Sequence, residues 1–407
     1  MNLKSGYPYW TVRNGLIACY PVLDRPLECD VAVVGAGITG AIVARRMQRD
    51  GHRVVLLDRR ECGWGSTAAS TALLQYELDA EMGDLAGRYG AAAATLAYRY
   101  CAASLEILAG ELARFRRIGF ARAHSLYFAS NSRHRDRLLA ECRRRRDAGL
   151  QVDWLEADEL ARRFGLDAPA AILTRPAARV DPYRACHALL RAIVRNGGRV
   201  FDRTTVSGFA VRARHVRVDT DRGVALRARW LVVAAGYESQ QWLDARIARN
   251  RSSYAFATDP LDDVGRLRGV LAWETARPYL YLRTTGEGRL IVGGADDRID
   301  VPALRDARVR RKAALLARKV AQRLGIAVQP AWAWGGTFAE TMDGLPFFDA
   351  HPQHGPRVLF ALAYGGNGIA YARLGADVLA ARLNRRAHPC EGLVSFARFD
   401  RGVPTHR

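Results

Sequence analysis

Apolar residues fall along the chain in short continuous runs, each followed by glycines and then by a helical period. Val31 to Val34 is such a run, followed by Gly35, Gly37 and Gly40 and by a pattern that predicts a helix to about Asp50. A second run, Val54 to Leu57, ends on Asp58. Further on, Val180 to Val206 predicts an Asp-Pro helix start, an amphipathic helix, a glycine pair and a strand, and Ala228 to Ser239 a buried strand ending in Ala-Gly. Val358 to Ala363 reads as one more strand, and Gly365-Gly366-Asn367-Gly368 as the opening of a helix through Ala376 to about Leu383. Two insertions separate these pieces. Glu77 to Arg179 carries helical patterns at Ala91–Phe115, Arg133–Ala148 and Ala157–Phe164, with a strand at Ser125–Ala129. Tyr254 to Gly325 carries strands at Tyr279–Arg283 and Arg289–Gly293, joined by a Thr-Thr-Gly-Glu-Gly turn. Ahead of everything, Tyr7 to Tyr20 is aromatic and irregular, a lead-in expected to lie over the first strand unit or to contact a partner.

Strand, G-x-G-x-x-G, helix, strand and acid stand in the order that a dinucleotide needs. Gly35 allows the turn off the strand, Gly37 lets a pyrophosphate reach the backbone without meeting a Cβ, and Gly40 lets the helix close on the sheet. The phosphates then face the amides and positive end of the helix, and Asp58 takes the ribose hydroxyls. The plainer alternative is a glycine-rich turn in an ordinary α/β sheet. The late glycine cluster has the same logic, since a glycine-rich helix start aims amides and a partial positive charge at whatever lies above it.

Composition changes this picture little. At 407 residues, two domains are expected, and no apolar run is long enough for a membrane helix. The N-terminus has no apolar core behind a basic start, so a cytoplasmic protein is expected. The seven cysteines are scattered and never spaced C-x-x-C, which fits reduced thiols, and His351 and His354 have no acidic or sulfur company that would make a metal site. A net charge of +21 suggests nucleic acid at first sight. Only Lys4, Lys312 and Lys319 are lysines, however, and the arginines are spread along the whole chain, so no nucleic-acid partner is expected. The densest run, Arg143 to Arg146, reads as a solvated helix face.

The segment Gly65-Ser-Thr-Ala-Ala-Ser-Thr71, following this βαβ unit, resembles the flavin-contacting turn of the D-amino-acid oxidase, glycine oxidase and sarcosine oxidase superfamily of FAD-dependent oxidoreductases. Asp343-Gly-Leu-Pro and Tyr364-Gly-Gly-Asn-Gly-Ile resemble its closing signature, and the likeness covers most of the chain in the family's order. It implies an α/β plus α+β fold: a Rossmann-like FAD-binding domain with a discontinuous substrate domain on a mainly antiparallel sheet. The FAD-binding parts are then 1–76, 180–250 and 331–407, and the substrate parts 77–179 and 251–330. The cofactor residues implied are Gly35, Gly37, Ile38, Thr39, Gly40, Asp58, Arg59, Ser66, Thr67, Ala68, Val206, Ala235, Gly236, Gly365, Gly366, Asn367, Gly368 and Ile369, with Val206 against the adenine and the late helix beneath the pyrimidine edge of the flavin.

The resemblance also implies the reaction: hydride removal from a carbon beside an amine nitrogen, leaving an imine that water hydrolyses, on a small amine or amino acid, with oxygen or another carrier taking the electrons. The layout is most similar to the branch that includes gamma-glutamylputrescine oxidase. Three departures stand out. Phe338 occupies the place of the arginine that grips a substrate carboxylate in glycine oxidase-like enzymes, which leaves Arg283 as the replacement candidate, with Tyr281 on the same strand face and Tyr364 in the closing signature as further candidate catalytic residues. No cysteine lies between Cys186 and Cys390, so the FAD is expected to be noncovalent, and Leu290 to Gly294 lacks the family's oxygen-promoting lysine. A 2-hydroxy acid or polyol phosphate substrate, or a catalytically silent flavin-binding protein, stays open beside the amine reading. NAD is the weaker alternative for the dinucleotide.

Overall fold

A computed structural model describes residues 3–298, 301–362 and 364–398. The chain builds two sheets. In the first, Leu27–Val34 lies between Ala225–Val233 and Val54–Leu57, all parallel, with Val358–Leu362 and Arg199–Phe201 extending it to either side. Strands buried on both faces read as unbroken apolar runs, which is why these segments lack alternation. Helices Ile38–Arg49, Pro182–Arg195 and Gly368–Leu383 pack together over this sheet in one apolar core. The second sheet has nine strands and is antiparallel except where Val270–Glu274 runs parallel to Ala121–Phe128. The long helix Pro302–Leu324 buries Val309, Ala313, Leu316 and Val320 against it.

Several elements fall where the pattern puts them, among them Val54–Leu57 and Ala157–Phe164. Asp181 caps the helix that begins at Pro182 by accepting from the amides of Tyr183 and Arg184, both at 3.0 Å. The closing strand ends at Leu362, and the expected last residue, Ala363, lies outside the described residues, as does the tail 399–407.

Other expectations need correction. Leu73–Gln75 and Trp332–Glu340, which the expected divisions at 76 and 331 group with the FAD-binding parts, both pair within the second sheet. The lead-in contains a short helix, Tyr9–Asn14, and packs at the seam between the sheets rather than over the first unit. Tyr9 and Trp10 sit with Ala68, Tyr183, Ile291 and Trp334, and Trp10 Nε1 donates to the Ser70 carbonyl at 2.8 Å.

The arginine run is not wholly a solvated face. Arg143, Arg144 and Arg146 are exposed, but Arg145 is 0% exposed and ion-pairs with Glu141 at 2.8 Å and Glu77 at 3.6 Å. The Glu141 carboxylate also accepts from the amides of Met82 and Gly83, at 2.9 and 3.1 Å. The Glu77 carboxylate accepts from the Thr174 hydroxyl at 2.7 Å. This buried network fixes both ends of the loop from Glu77 to Met82, which borders the cavity described below.

Among the described residues no helix is long and apolar enough to cross a membrane, and no group of three or more His, Cys, Asp or Glu residues is placed to hold a metal ion. None of the seven cysteines is in a disulfide.

Removing one member of a buried charge network leaves its partners uncompensated. Arg145→Ala is therefore expected to destabilise the protein by about 3–5 kcal/mol, read as a lower denaturant midpoint. Arg143→Ala, on the exposed side of the same helix, should stay within about 0.5 kcal/mol of the parent.

Candidate active site

The first glycine turn is built by its backbone. Gly35 has φ +105°, which an L side chain rarely adopts, and an added Cβ would lie 2.4 Å from the Ala234 carbonyl oxygen. Gly40 is held tighter still: its Cβ would fall 1.8 Å from the Gly35 carbonyl oxygen. Around the turn, the Ala36 amide donates to Asp58 Oδ2 at 2.8 Å and the Ile38 amide to Thr67 Oγ1 at 2.9 Å. Asp58 Oδ1 accepts from the Arg60 amide at 2.9 Å. Burial pushes the Asp58 carboxyl up to about 6 against the pull of those two amides. Apart from the Thr67 hydroxyl on the Ile38 amide, the helix start is open among the described residues, since its N-cap is Gly37, which has no side chain.

The late helix is open in the same way. Asn367 is its N-cap but makes no cap bond, because its side-chain amide donates instead to the Glu77 carbonyl at 2.7 Å. Gly365, at φ +59°, lies against Asp79, whose Oδ2 accepts from the Gly366 amide at 2.8 Å. Both helix starts border a single cavity of about 570 Å³. Its inner end is closed by the second sheet, through Ser253, Trp273, Tyr279, Tyr281, Asp296 and Phe338.

Of the cofactor residues named from the sequence, all but Gly40 and Ala68 line this cavity. Gly40 acts from behind, through the close contact of helix and turn, and Ala68 points into the core with Tyr9 and Trp10. Of the three candidate catalytic residues, Tyr281 and Tyr364 line the cavity and Arg283 does not. Tyr364 contributes a ring face only, since its hydroxyl donates to the Ala361 carbonyl.

Arg283, the expected grip for a substrate carboxylate, does not line the cavity. It lies farther along the strand, 1% exposed, with its donors on the carbonyls of Thr71 at 2.6 Å and Val180 at 2.9 Å and its guanidinium over the Trp10 ring. Alternation put it on the right face but says nothing of how far along that face the cavity reaches.

Two carboxylates went unnoticed in the sequence. Asp296 reaches the cavity through a bulge: the register shifts from Tyr254↔Gly294 to Ser252↔Asp297, which leaves one extra residue on the Leu290–Asp297 strand. Ala295, at φ +53°, takes up that extra residue. Gly293 makes room for the Tyr281 ring, which would lie 2.4 Å from a Cβ there. The signal was the run Gly293-Gly294-Ala295-Asp296, in which glycines inside a strand mark a bulge. Asp79 comes from a loop that alternation cannot place. Burial raises each carboxyl to about 6, Asp79 against the Gly366 amide and Arg277, and Asp296 against Ser253, Arg277 and Lys312, while Glu340 adds to both shifts. Arg277 is exposed, stacks its guanidinium 4.5 Å from the Tyr279 ring centroid, and donates to the Asp79 carbonyl at 3.2 Å.

Two amide-lined helix starts, a ribose-accepting acid and a Cβ-free approach at Gly37 suit an adenine dinucleotide, and the flat aromatic walls beyond them suit a planar ring system. No cysteine or histidine lines the cavity among the described residues, consistent with noncovalent attachment.

Comparison with known proteins agrees. The family described as FAD dependent oxidoreductase matches residues 30–382. Glycine oxidase of Bacillus licheniformis is 25% identical over 390 residues, spanning 93% of this chain and 99% of that protein. Gamma-glutamylputrescine oxidoreductase of Escherichia coli is 23% identical over 409 residues, spanning 96% of this chain and 92% of that protein. The solved structure of L-proline dehydrogenase from P. horikoshii superposes with a TM-score of 0.76 at 16% identity, covering 93% of this chain and 99% of that one.

The glycine contacts separate cofactor loss from fold loss. Gly37 has φ −74° and its Cβ would meet only the Thr67 hydroxyl, at 3.1 Å, so Gly37→Val should fold but purify without flavin absorbance. Gly40→Ala, which drives a Cβ into backbone, should lower the unfolding free energy by at least about 1–3 kcal/mol, measured by chemical denaturation.

Proposed function

The chain belongs to the FAD-dependent oxidoreductase family, and on that premise we propose that it oxidises the C–N bond of a small amine or amino acid. The observation that carries this reading is the single cavity shared by the two open helix starts and an aromatic chamber. The names of its relatives, an oxidase of glycine and an oxidoreductase of gamma-glutamylputrescine, support the same bond type.

In this reading Gly35, Gly37, Ile38 and Thr39 hold the pyrophosphate, Asp58 the ribose and Val206 the adenine, while Gly365 to Ile369 face the ring. When bound, FAD supplies the acceptor for the hydride that leaves the carbon beside the nitrogen. The chain does the remaining work. Trp273, Tyr279, Tyr281 and Phe338 enclose the reacting carbon and keep water away from it. The carboxylates of Asp79 and Asp296 hold the amine and accept the proton it gives up, and with pKa values raised to about 6 they suit that exchange near neutrality. The oxidised substrate leaves as an imine, which water hydrolyses.

A carboxylate pair repels a hydroxy acid or a polyol phosphate, so the alternative substrates fit this chamber less well. No lysine lines the cavity among the described residues, which favours an electron carrier other than oxygen. The free cysteines suit a cytoplasmic setting.

Anaerobic mixing of the purified yellow protein with amines, D- and L-amino acids and hydroxy acids tests the reaction class. Bleaching by an amine or amino acid, with an aldehyde or keto product, is expected. Bleaching by hydroxy acids alone would refute the reading. The rate of bleaching at subsaturating substrate should fall as pH drops through about 6, since Asp79 and Asp296 take up protons there and lose the charge that holds the amine. A profile flat from pH 5 to 8 would exclude both carboxylates.

A further inference from the structure

We propose that the substrate is a cationic aliphatic amine with no carboxylate on the reacting carbon, held by Asp296 and Asp79. This rests on the amine or amino-acid reading above and narrows it.

An α-amino acid needs a fork of donors for its carboxylate. The chamber does not supply one. Arg283 is spent on the Thr71 and Val180 carbonyls, and Phe338 contributes an apolar wall. Arg59 and Arg60 stand at the opposite end of the cavity, beside Glu238. Arg277 is exposed and lies over Tyr279 at the mouth. The inner wall offers the opposite charge. Asp296 Oδ1 is sealed from solvent and has no hydrogen-bond partner in the protein, which is costly for a carboxylate unless a ligand donates to it. Asp79 is the second carboxylate in the same chamber, and both act electrostatically on the Tyr279 hydroxyl, which places them around one ring. A substrate carboxylate here would meet two like charges, whereas an ammonium would meet two partners.

The test uses the flavin-loaded protein, with n-butylamine and 1,4-diaminobutane set against glycine and D- and L-alanine. Anaerobic bleaching gives the reaction, and perturbation of the flavin spectrum gives the dissociation constant. The amines should bleach the flavin at lower concentrations than the amino acids and bind more weakly as salt is raised. Asp296→Asn should weaken amine binding at least tenfold while keeping flavin content and melting temperature. Asp79→Asn is measured in parallel, so that either variant decides the matter if the other loses flavin. Preference for the α-amino acids, or parental amine affinity in both variants, would overturn the proposal and leave the C–N reading standing. Failure of both substrate classes to bleach the flavin would overturn the two together.

Discussion

Everything in this molecule turns on two helix starts whose backbone amides the protein caps only in part, with the Thr67 hydroxyl on the Ile38 amide and Asp79 on the Gly366 amide. A helix begins with N–H groups that no preceding turn can satisfy, and most helices spend a serine, threonine or aspartate on them. Two helices here start on glycine or on an asparagine turned elsewhere, and both starts open on one cavity. Such an arrangement is stable in the presence of an anionic or strongly polar ligand that accepts from both ends. The two sheets, the seam helix of the lead-in and the buried Arg145 network hold these starts at a fixed separation.

Much of this could be read in the sequence because parallel strands and glycine turns leave local marks. An unbroken apolar run, three glycines at fixed spacing and an acid at the next strand end require no knowledge of distant contacts, and the residues so named line the cavity, apart from Gly40 and Ala68, which support it from behind. What escaped was set by tertiary geometry. The bulge at Ala295 turns Asp296 into the chamber, and alternation fails where a strand carries an extra residue. Arg283 has the right face and the wrong distance, because strand period fixes direction and not depth. Arg145 sits among three exposed arginines, and only the neighbouring Glu77 and Glu141 show why one of the four is buried.

The electrostatics separate two scales that composition merges. Summed over the chain the charge is strongly positive, yet the inner chamber presents the carboxylates of Asp79 and Asp296. Arginines on the surface set solubility and long-range encounter, while on the proposed reading the desolvated Asp79 and Asp296 select what is held once inside. The relatives match this chain at about a quarter identity or less over most of their own length.

The most direct measurement is a crystal structure of the purified, flavin-loaded protein. The account predicts density for one FAD running from Val206 and Asp58, past Gly37, to the glycines that open the late helix, with its ring next to the chamber walled by Tyr281 and Asp296. Density for a dinucleotide elsewhere, or a ring separated from the Gly365–Gly368 helix start, would contradict it.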